Sequence, residues 1–231
     1  MRRVMLKLSG EALAGENGSG FDFKTLDSIC KQIKKVKSKN LQIAIVTGGG
    51  NFIRGKMLSE IDKYKADEIG MLSTYMNSLY IQGVLRVNGI DSEIFGAFPM
   101  SDIAETFSKY KAIDAMNNGK VVILAGGTGH PYFTTDTGVV LRSIELECTE
   151  LLLAKSIDYV YDKDPVKYSD AKKYKKITMQ ELFDKKLEVI DLSATVLCLT
   201  NKLNLRIFSL NIKNSIFKAI KGEDIGTLVY N

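Results

Sequence analysis

The chain predicts an α/β domain spanning residues 1–231, with a mostly parallel central sheet and helices on both faces. Three observations carry this. Short apolar runs, several of them β-branched and bounded by Gly or Asp, read as buried strands. Between them lie longer stretches whose apolar residues recur every three or four positions, the period of a helix with one face on a core. The alternation runs through the whole chain without an internal repeat or a Pro/Gly/Ser-rich linker, and only three prolines occur. Such alternation builds a parallel sheet covered on both sides.

Taken in order, the first strand is Val4–Leu8, running into Lys7-Leu8-Ser9-Gly10-Glu11. A helix follows, with Phe23, Leu26, Ile29, Cys30, Ile33 and Val36 on its core side. The second strand, Leu41–Val46, runs into GGGNFIRG, Gly48–Gly55. Leu72, Tyr75, Met76, Leu79 and Tyr80 mark the core face of a helix over Met71–Val87. After a strand at Ser92–Phe95, the residues Ile103, Phe107, Tyr110 and Ile113 mark another helix. Val121–Ala125 is a strand ending in AGGTGHPYFTTD, Ala125–Asp136. Further strands are expected at Leu151–Ala154, Tyr159–Tyr161 (leading into Asp162-Lys163-Asp164-Pro165), Leu205–Leu210 and Thr227–Tyr230.

Composition narrows the class. Apolar residues make up 45% and charged residues 26%, the balance of a globular protein and not of a disordered or collagen-like chain. The longest apolar run, Val121–Ala125, has five residues, where a bilayer span needs about 20. Lys7 interrupts the apolar start too early for a secretory signal. Cys30, Cys148 and Cys198 are widely spaced and odd in number, which excludes a CxxC metal site or a disulfide framework. Set in apolar patterns, they read as small core residues in a reducing cytoplasm. The net charge of +5 is mild. The lysine clusters at 31–39 and 172–176 are interrupted and read as solvated faces, so neither nucleic acid nor membrane is an expected partner.

In a parallel sheet, ligands lie beyond the carboxyl ends of the strands, and three of those ends carry glycine. Glycine permits positive φ and lets a backbone N–H approach a phosphate with no Cβ in the way. A following helix adds unpaired N–H groups and the positive end of its dipole. A tight turn explains one cluster but not three, and two separate loops suggest two phosphate-bearing ligands. The P-loop pattern is absent, since Met57 and Val121 follow the two Gly-Lys pairs. GxGxxG is absent because Ile53 stands where its third glycine would fall. A single histidine excludes HExxH, and there is no GxSxG elbow. Hydrolase triads, metalloproteases and dinucleotide oxidoreductases are thereby disfavoured.

Lys7, at the tail of an apolar strand, requires an anionic partner. It reads as a phosphate clamp in preference to an edge lysine reaching into solvent. Arg54 is placed to fork onto a phosphate. Thr128, Thr134 and Thr135 add hydroxyls around the third loop. Asp67 suits either two ribose hydroxyls or the N-terminal turn of an ordinary helix. His130, beside Pro131, reads as a spacer or backbone donor and not as a catalytic base.

These stretches together resemble a known family. MLKLSGEAL at Met5, VTGGGNFIRG at Val46, GMLSTYMNSL at Gly70, GTGHPYFTTD at Gly127 and VYDKDP at Val160 are similar to the bacterial UMP kinases of the amino acid kinase family. VIDLSA at Val189 and GTLV at Gly226 extend the similarity almost end to end. The resemblance implies a three-layer α/β/α sandwich in homohexamers. It also implies phosphorylation of UMP by ATP with Mg²⁺, a place in pyrimidine nucleotide synthesis, and inhibition by UTP. By motif, Lys7, Leu8, Ser9 and Gly10 would bind ATP phosphates, and Gly50 and Arg54 the phosphates in transfer. Gly49 would meet UMP and Asp67 its ribose. Thr128, Gly129, His130, Pro131, Tyr132, Phe133, Thr134 and Thr135 would form the uracil and phosphate pocket. Tyr161 and Asp164 would flank ATP, and Mg²⁺ would be held by its phosphates. Such a reaction needs no general base, because the attacking phosphate oxygen is already anionic. It needs positive charge and N–H donors aimed at the transferring group.

The sequence also departs from the family pattern. Asn is common where His130 stands. A stretch usually reading KATKVDGVY is here LAKSIDYVY, with Leu153, Lys155, Ser156 and Tyr159 changed; Lys155 is a candidate ATP contact. The loop Gly15, Glu16, Asn17, Gly18, Ser19, Gly20 matches in length a segment linked to GTP activation in some relatives. Glu93, however, stands where those relatives present an arginine, so weak or absent GTP activation is expected. Two alternatives compete: a family member acting on a carboxylate or carbamate, and a non-catalytic nucleotide sensor. The GTGHPYFTTD stretch and the joint presence of Lys7, Arg54 and Asp67 speak against them.

Overall fold

The computed structural model describes residues 1–53 and 60–231; Arg54 therefore lies outside the described residues. In chain order the elements are β1 (Arg2–Leu8), α1 (Gly10–Ala14), α2 (Phe23–Val36), β2 (Leu41–Thr47), α3 (Lys63–Val87), β3 (Ser92–Gly96), β4 (Glu105–Thr106) and α4 (Lys109–Asn117). There follow β5 (Val121–Ala125), α5 (Thr135–Glu145), β6 (Glu150–Lys155), β7 (Val160–Tyr161), β8 (Lys173–Tyr174), β9 (Lys176–Thr178), α6 (Met179–Asp184), α7 (Leu192–Asn201), β10 (Leu205–Ser209), α8 (Ser215–Lys221) and β11 (Thr227–Tyr230).

One nine-stranded sheet has the order β4-β3-β5-β2-β1-β6-β10-β11-β9. Its pairings are parallel except β10 with β11. β1 sits in the middle, and the chain leaves it first toward β2 and later returns on its other side as β6. That is a topological switch point, where the loops beyond the strand ends separate and leave a crevice. Alternate side chains of β1 enter opposite cores. Val4, Leu6 and Leu8 pack with α2, α3 and α8, while Met5 packs with α4, α5, α6 and α7. Lys7 shares the Met5 side by strand alternation.

Side-chain caps fix where the helices begin. Ser9 caps α1, Asp22 caps α2, Asp62 caps α3, Thr134 caps α5, Thr178 caps α6 and Asp191 caps α7. The Asp62 cap starts α3 at Lys63, eight residues before the expected Met71. Asp67 is therefore inside the helix, one turn beyond Lys63.

Several sequence expectations are corrected. On α3, Tyr75 is buried, but Leu72, Met76 and Leu79 are exposed. The side facing the sheet is built from Ser73, Thr74, Tyr75, Asn77 and Ser78, with Ile81, Val84 and Leu85 further along. Small and polar residues let this helix lie close to the sheet and the loops. Ile103 and Tyr110 are also exposed, and α4 begins only at Lys109, so they form no core stripe. The run at Tyr159–Tyr161 is not in the main sheet; β7 pairs antiparallel with β8 instead. The short strands β4, β8 and β9 carry no apolar run. All three cysteines are buried, as expected, and burial pushes each thiol up to about 12.

Candidate active site

At the carboxyl end of β1, Lys7 is only 8% exposed. β1 is a central strand, so the edge-lysine reading fails. The anionic partner that burial demands is Asp136, in the first turn of α5, which forms an ion pair with the Lys7 ammonium. Lys155, at the end of the neighbouring β6, approaches the other oxygen of the same carboxylate at 3.3 Å. Its Nζ also donates to the Val189 carbonyl. Burial, together with the Lys7 charge, holds Lys155 below the ordinary lysine range despite the nearby carboxylate. The arrangement is two cations on one carboxylate at the switch point of the sheet.

A second carboxylate, Asp191, braces this cluster from the α7 cap. It accepts from the Thr134 hydroxyl, from the Thr137 hydroxyl at 2.9 Å and from the Ala194 N–H at 2.9 Å. Burial alone would raise its pKa, but these hydrogen bonds more than offset that and leave the carboxyl below its usual value. Thr134 in turn accepts from the Asp136 N–H at 3.1 Å. The first turn of α5, which carries Asp136, is thus fixed from both sides.

The glycine loops converge here. Gly48 N–H donates to the Leu8 carbonyl at 3.0 Å, joining the β1 and β2 loops. The Leu8 side chain itself is core. A Cβ on Gly10 would stand 2.4 Å from the Gly50 nitrogen, and one on Gly49 would stand 2.8 Å from the Gly70 carbonyl oxygen. Only glycine permits these approaches. On α3, the Thr74 hydroxyl accepts from Gly126 N–H at 2.7 Å, and the Asn77 amide donates to the Gly48 carbonyl at 2.6 Å. The same helix therefore holds both the β2 loop and the β5 loop.

Between these loops and α3 lies a cavity of about 300 Å³. Of the expected UMP contacts, Gly49, Asp67, Thr128, His130, Tyr132, Phe133, Thr134 and Thr135 line it, whereas Gly129 and Pro131 do not. Gly50, expected on the ATP side, lines it too. Asp67 is engaged on the protein: it accepts from Tyr132 N–H at 2.7 Å and pairs with Lys63 at 3.4 Å. Tyr132 has φ 69°, a strained geometry for a non-glycine residue, and the Asp67 bond holds it there. His130 makes its bonds through its backbone, donating N–H to the Thr128 hydroxyl at 3.2 Å. Its side chain is an exposed neighbour of the cavity.

A second cavity, of about 780 Å³, opens beside Asp136 and Lys155 and is walled by Leu182–Asp184 and Lys186–Leu192 with Thr195. Tyr161 and Asp164 line neither cavity. The Tyr161 hydroxyl donates to Asp158 at 3.1 Å, and Asp164 accepts from Val166 N–H at 2.9 Å. Glu93 is paired with Lys120 at 2.9 Å. In the loop 15–20, Gly15–Asn17 forms a short 3₁₀ turn, and Gly20 N–H donates to the Asn51 carbonyl at 3.0 Å. Sequence reasoning missed Asp136, Asp191, Asn51, Asn77 and Thr74 as members of this assembly. Their one readable signal is the small and polar stripe Ser73, Thr74, Asn77, Ser78 at helical spacing inside an otherwise apolar helix.

Known proteins share this architecture. A uridylate kinase from Bacteroides thetaiotaomicron is 43% identical over 232 aligned residues, covering 100% of this chain and 98% of that protein. The crystal structure of UMP kinase from Bacillus anthracis matches with a TM-score of 0.95 at 34% identity, over 99% of this chain and 96% of that one. That of UMP kinase from Ureaplasma parvum matches with a TM-score of 0.94 at 31% identity, over 100% and 99%. The family model for the amino acid kinase family covers residues 2–209, and the chain belongs to that family.

Proposed function

We propose that this protein transfers the terminal phosphoryl group of ATP to the phosphate of UMP, giving UDP and ADP. The names of its relatives supply the acceptor. The observation that carries the chemistry is the pairing of Lys7 and Lys155 on Asp136, between two glycine loops and beside two cavities.

In this reading UMP occupies the smaller cavity, and the donor nucleoside extends into the larger one. The acceptor oxygen is already anionic, so the site has no proton to remove. Its task is to bring two anions together and to spread the charge of the transferring group. Lys7 and Lys155 face the phosphates from their places on Asp136, which keeps the two cations apart but adjacent. The amides of Gly49 and Gly50 are the uncharged donors. Removing one such group typically costs about 2.7–4 kcal/mol, roughly 10²–10³ in rate. Magnesium belongs to the substrate here, as the complex with ATP. The chemistry of the donor set fits this, since Asp136 is committed to two lysines and Asp191 to three donors. Arg54, Tyr161 and Asp164 remain part of the proposal through the family motif alone.

The exposed Leu72, Met76 and Leu79 on α3 make an apolar stripe that suits a second copy of the chain, in keeping with a homohexamer. No helix among the described residues is long and apolar enough to cross a membrane. A cytoplasmic place in pyrimidine nucleotide synthesis and inhibition by UTP complete the reading. A coupled ADP assay with UMP, CMP, dUMP and acetylglutamate as acceptors tests it. Turnover with UMP is expected to exceed the others by at least tenfold, and acetylglutamate as the preferred acceptor would sink it.

A further inference from the structure

The Asn77 side chain is fully buried, with 0% exposure, and takes no part in the chemistry described above. It lies in the middle of α3 and faces Asn51, which is 2% exposed. The two amides bond reciprocally: Asn51 Nδ2 donates to Asn77 Oδ1 at 2.8 Å, and Asn77 Nδ2 to Asn51 Oδ1 at 2.9 Å. Asn77 Nδ2 also donates to the Gly48 carbonyl at 2.6 Å. Asn51 reaches the other way, gripping Gly20 on both of its peptide groups. The Asn51 carbonyl accepts from Gly20 N–H at 3.0 Å, and Asn51 Nδ2 donates to the Gly20 carbonyl at 2.9 Å. Phe21, the next residue, stacks on Tyr80 of α3 with ring centroids 3.9 Å apart and meets Phe52 edge-on at 5.1 Å. Asn51 also bounds the Gly10 loop, because a Cβ on Gly10 would stand 2.8 Å from both the Asn51 nitrogen and its Oδ1.

Three loops therefore meet at one amide pair: Ser9-Gly10 after β1, Gly48–Gly50 after β2, and the 15–20 loop. Buried side-chain amides are costly unless every donor and acceptor is met, and an apolar residue at position 77 would fill the same space. The polar choice fixes a register that an apolar contact cannot, because hydrogen bonds are directional and dispersion is not. We propose that Asn77 is a positioning residue for the transfer step, setting the gap between the two phosphate-facing glycine loops through Gly48 and Asn51. The proposal rests on the phosphotransfer reading above. It extends that reading to a residue that touches neither cavity and makes the 15–20 loop a third body clamped by the same pair.

The variant Asn77→Asp keeps the shape but replaces the Nδ2 donor with a second acceptor oxygen facing the Gly48 carbonyl. Expected with the full chain is a fall in kcat of about 10- to 100-fold, with the KM for UMP and for MgATP each within about threefold of the parent. Amide hydrogen exchange at 48–51 and at Gly20 should quicken at least tenfold without substrate, while exchange in β1 and β6 stays as in the parent. In a cycle with Asn51→Ala, the double variant should lose no more than the worse single variant within about threefold, since both act through one pair. A kcat per folded site within twofold of the parent, multiplicative losses, or unchanged exchange at 48–51 would each overturn the proposal. Should Asn77→Asp fail to fold, Asn77→Ser and Asn51→Ala carry the same measurements. The exchange readout needs no substrate, and the parent's own turnover with UMP is measured alongside. Failure of this inference is thereby distinguished from failure of the assigned reaction.

Discussion

The two cavities meet at the start of α5, where Thr134 and Thr135 line one and Asp136 the other, but they are walled differently. The smaller is bounded by glycine loops, hydroxyls and α3 together with Met71, Tyr132 and Phe133, and at Gly49 its backbone is pressed against the Gly70 carbonyl to the limit of what glycine allows. The larger is bounded by side chains of α6, α7 and the stretch between them. A wall made of peptide groups cannot be adjusted by exchanging residues, whereas a wall of Leu, Val and Phe can be repacked at small cost. Under the proposed assignment of substrates, the contrast puts discrimination between acceptors on the rigid side and tolerance of sequence change on the donor side.

The sharpest way to break this picture is at the shared centre. Lys7→Ala should lower kcat by 10²–10³-fold or more, with the far-ultraviolet circular dichroism and cooperative unfolding retained. A folded variant turning over at a near-normal rate would remove Lys7 from the mechanism.

Next comes the rigid wall. Gly49→Ala forces a methyl to 2.8 Å from the Gly70 carbonyl oxygen, and overpacking of this kind costs about 1–3 kcal/mol. Thermal unfolding should fall by several degrees and UMP turnover by at least tenfold. Leu192→Ala on the other wall removes an exposed side chain and should leave turnover within about threefold. Equal sensitivity of the two would erase the contrast.

The pH profile gives a finer test. In the proposed mechanism Lys155 works as a cation, and burial holds its pKa below the ordinary lysine range. Activity should therefore fall as pH rises through that lowered value, earlier than an ordinary lysine would dictate. Asp136→Asn removes the charge that opposes the depression, so the alkaline limb should move to still lower pH. Lys155→Arg should move it up, because a guanidinium stays charged. A limb that ignores both substitutions would exclude Lys155.

The smallest effect concerns GTP. Glu93 is held by Lys120 at 2.9 Å, a half-exposed carboxylate already paired and unsuited to a triphosphate. Rates at sub-saturating UMP should change by less than twofold on adding GTP, and strong activation would refute this.

What was readable in the sequence follows physical rules of unequal reach. The buried parallel strands declared themselves because a strand covered on both faces has to be apolar throughout, and the glycine loops because close backbone approach leaves few other choices. Lys7 announced the need for an anion, but not that Asp136, far along the chain, would supply it. The α3 face was misread for a specific reason. Its inner side carries Thr74, Asn77 and Ser78 to hold loops, so the apolar period of Leu72, Met76 and Leu79 marked the outside instead. Asp191 and Asn51 were invisible because a cap and a reciprocal amide pair depend on partners that only tertiary folding brings near.

The three sulfhydryls have a practical use. With Cys30, Cys148 and Cys198 buried and burial pushing each thiol up to about 12, an alkylating reagent modifies them readily only when the cores on either side of the sheet come apart. Cys30 lies in one core, and Cys148 and Cys198 in the other. The rates at which they are alkylated at neutral pH thus clock the opening of each half of the molecule separately, with no added label.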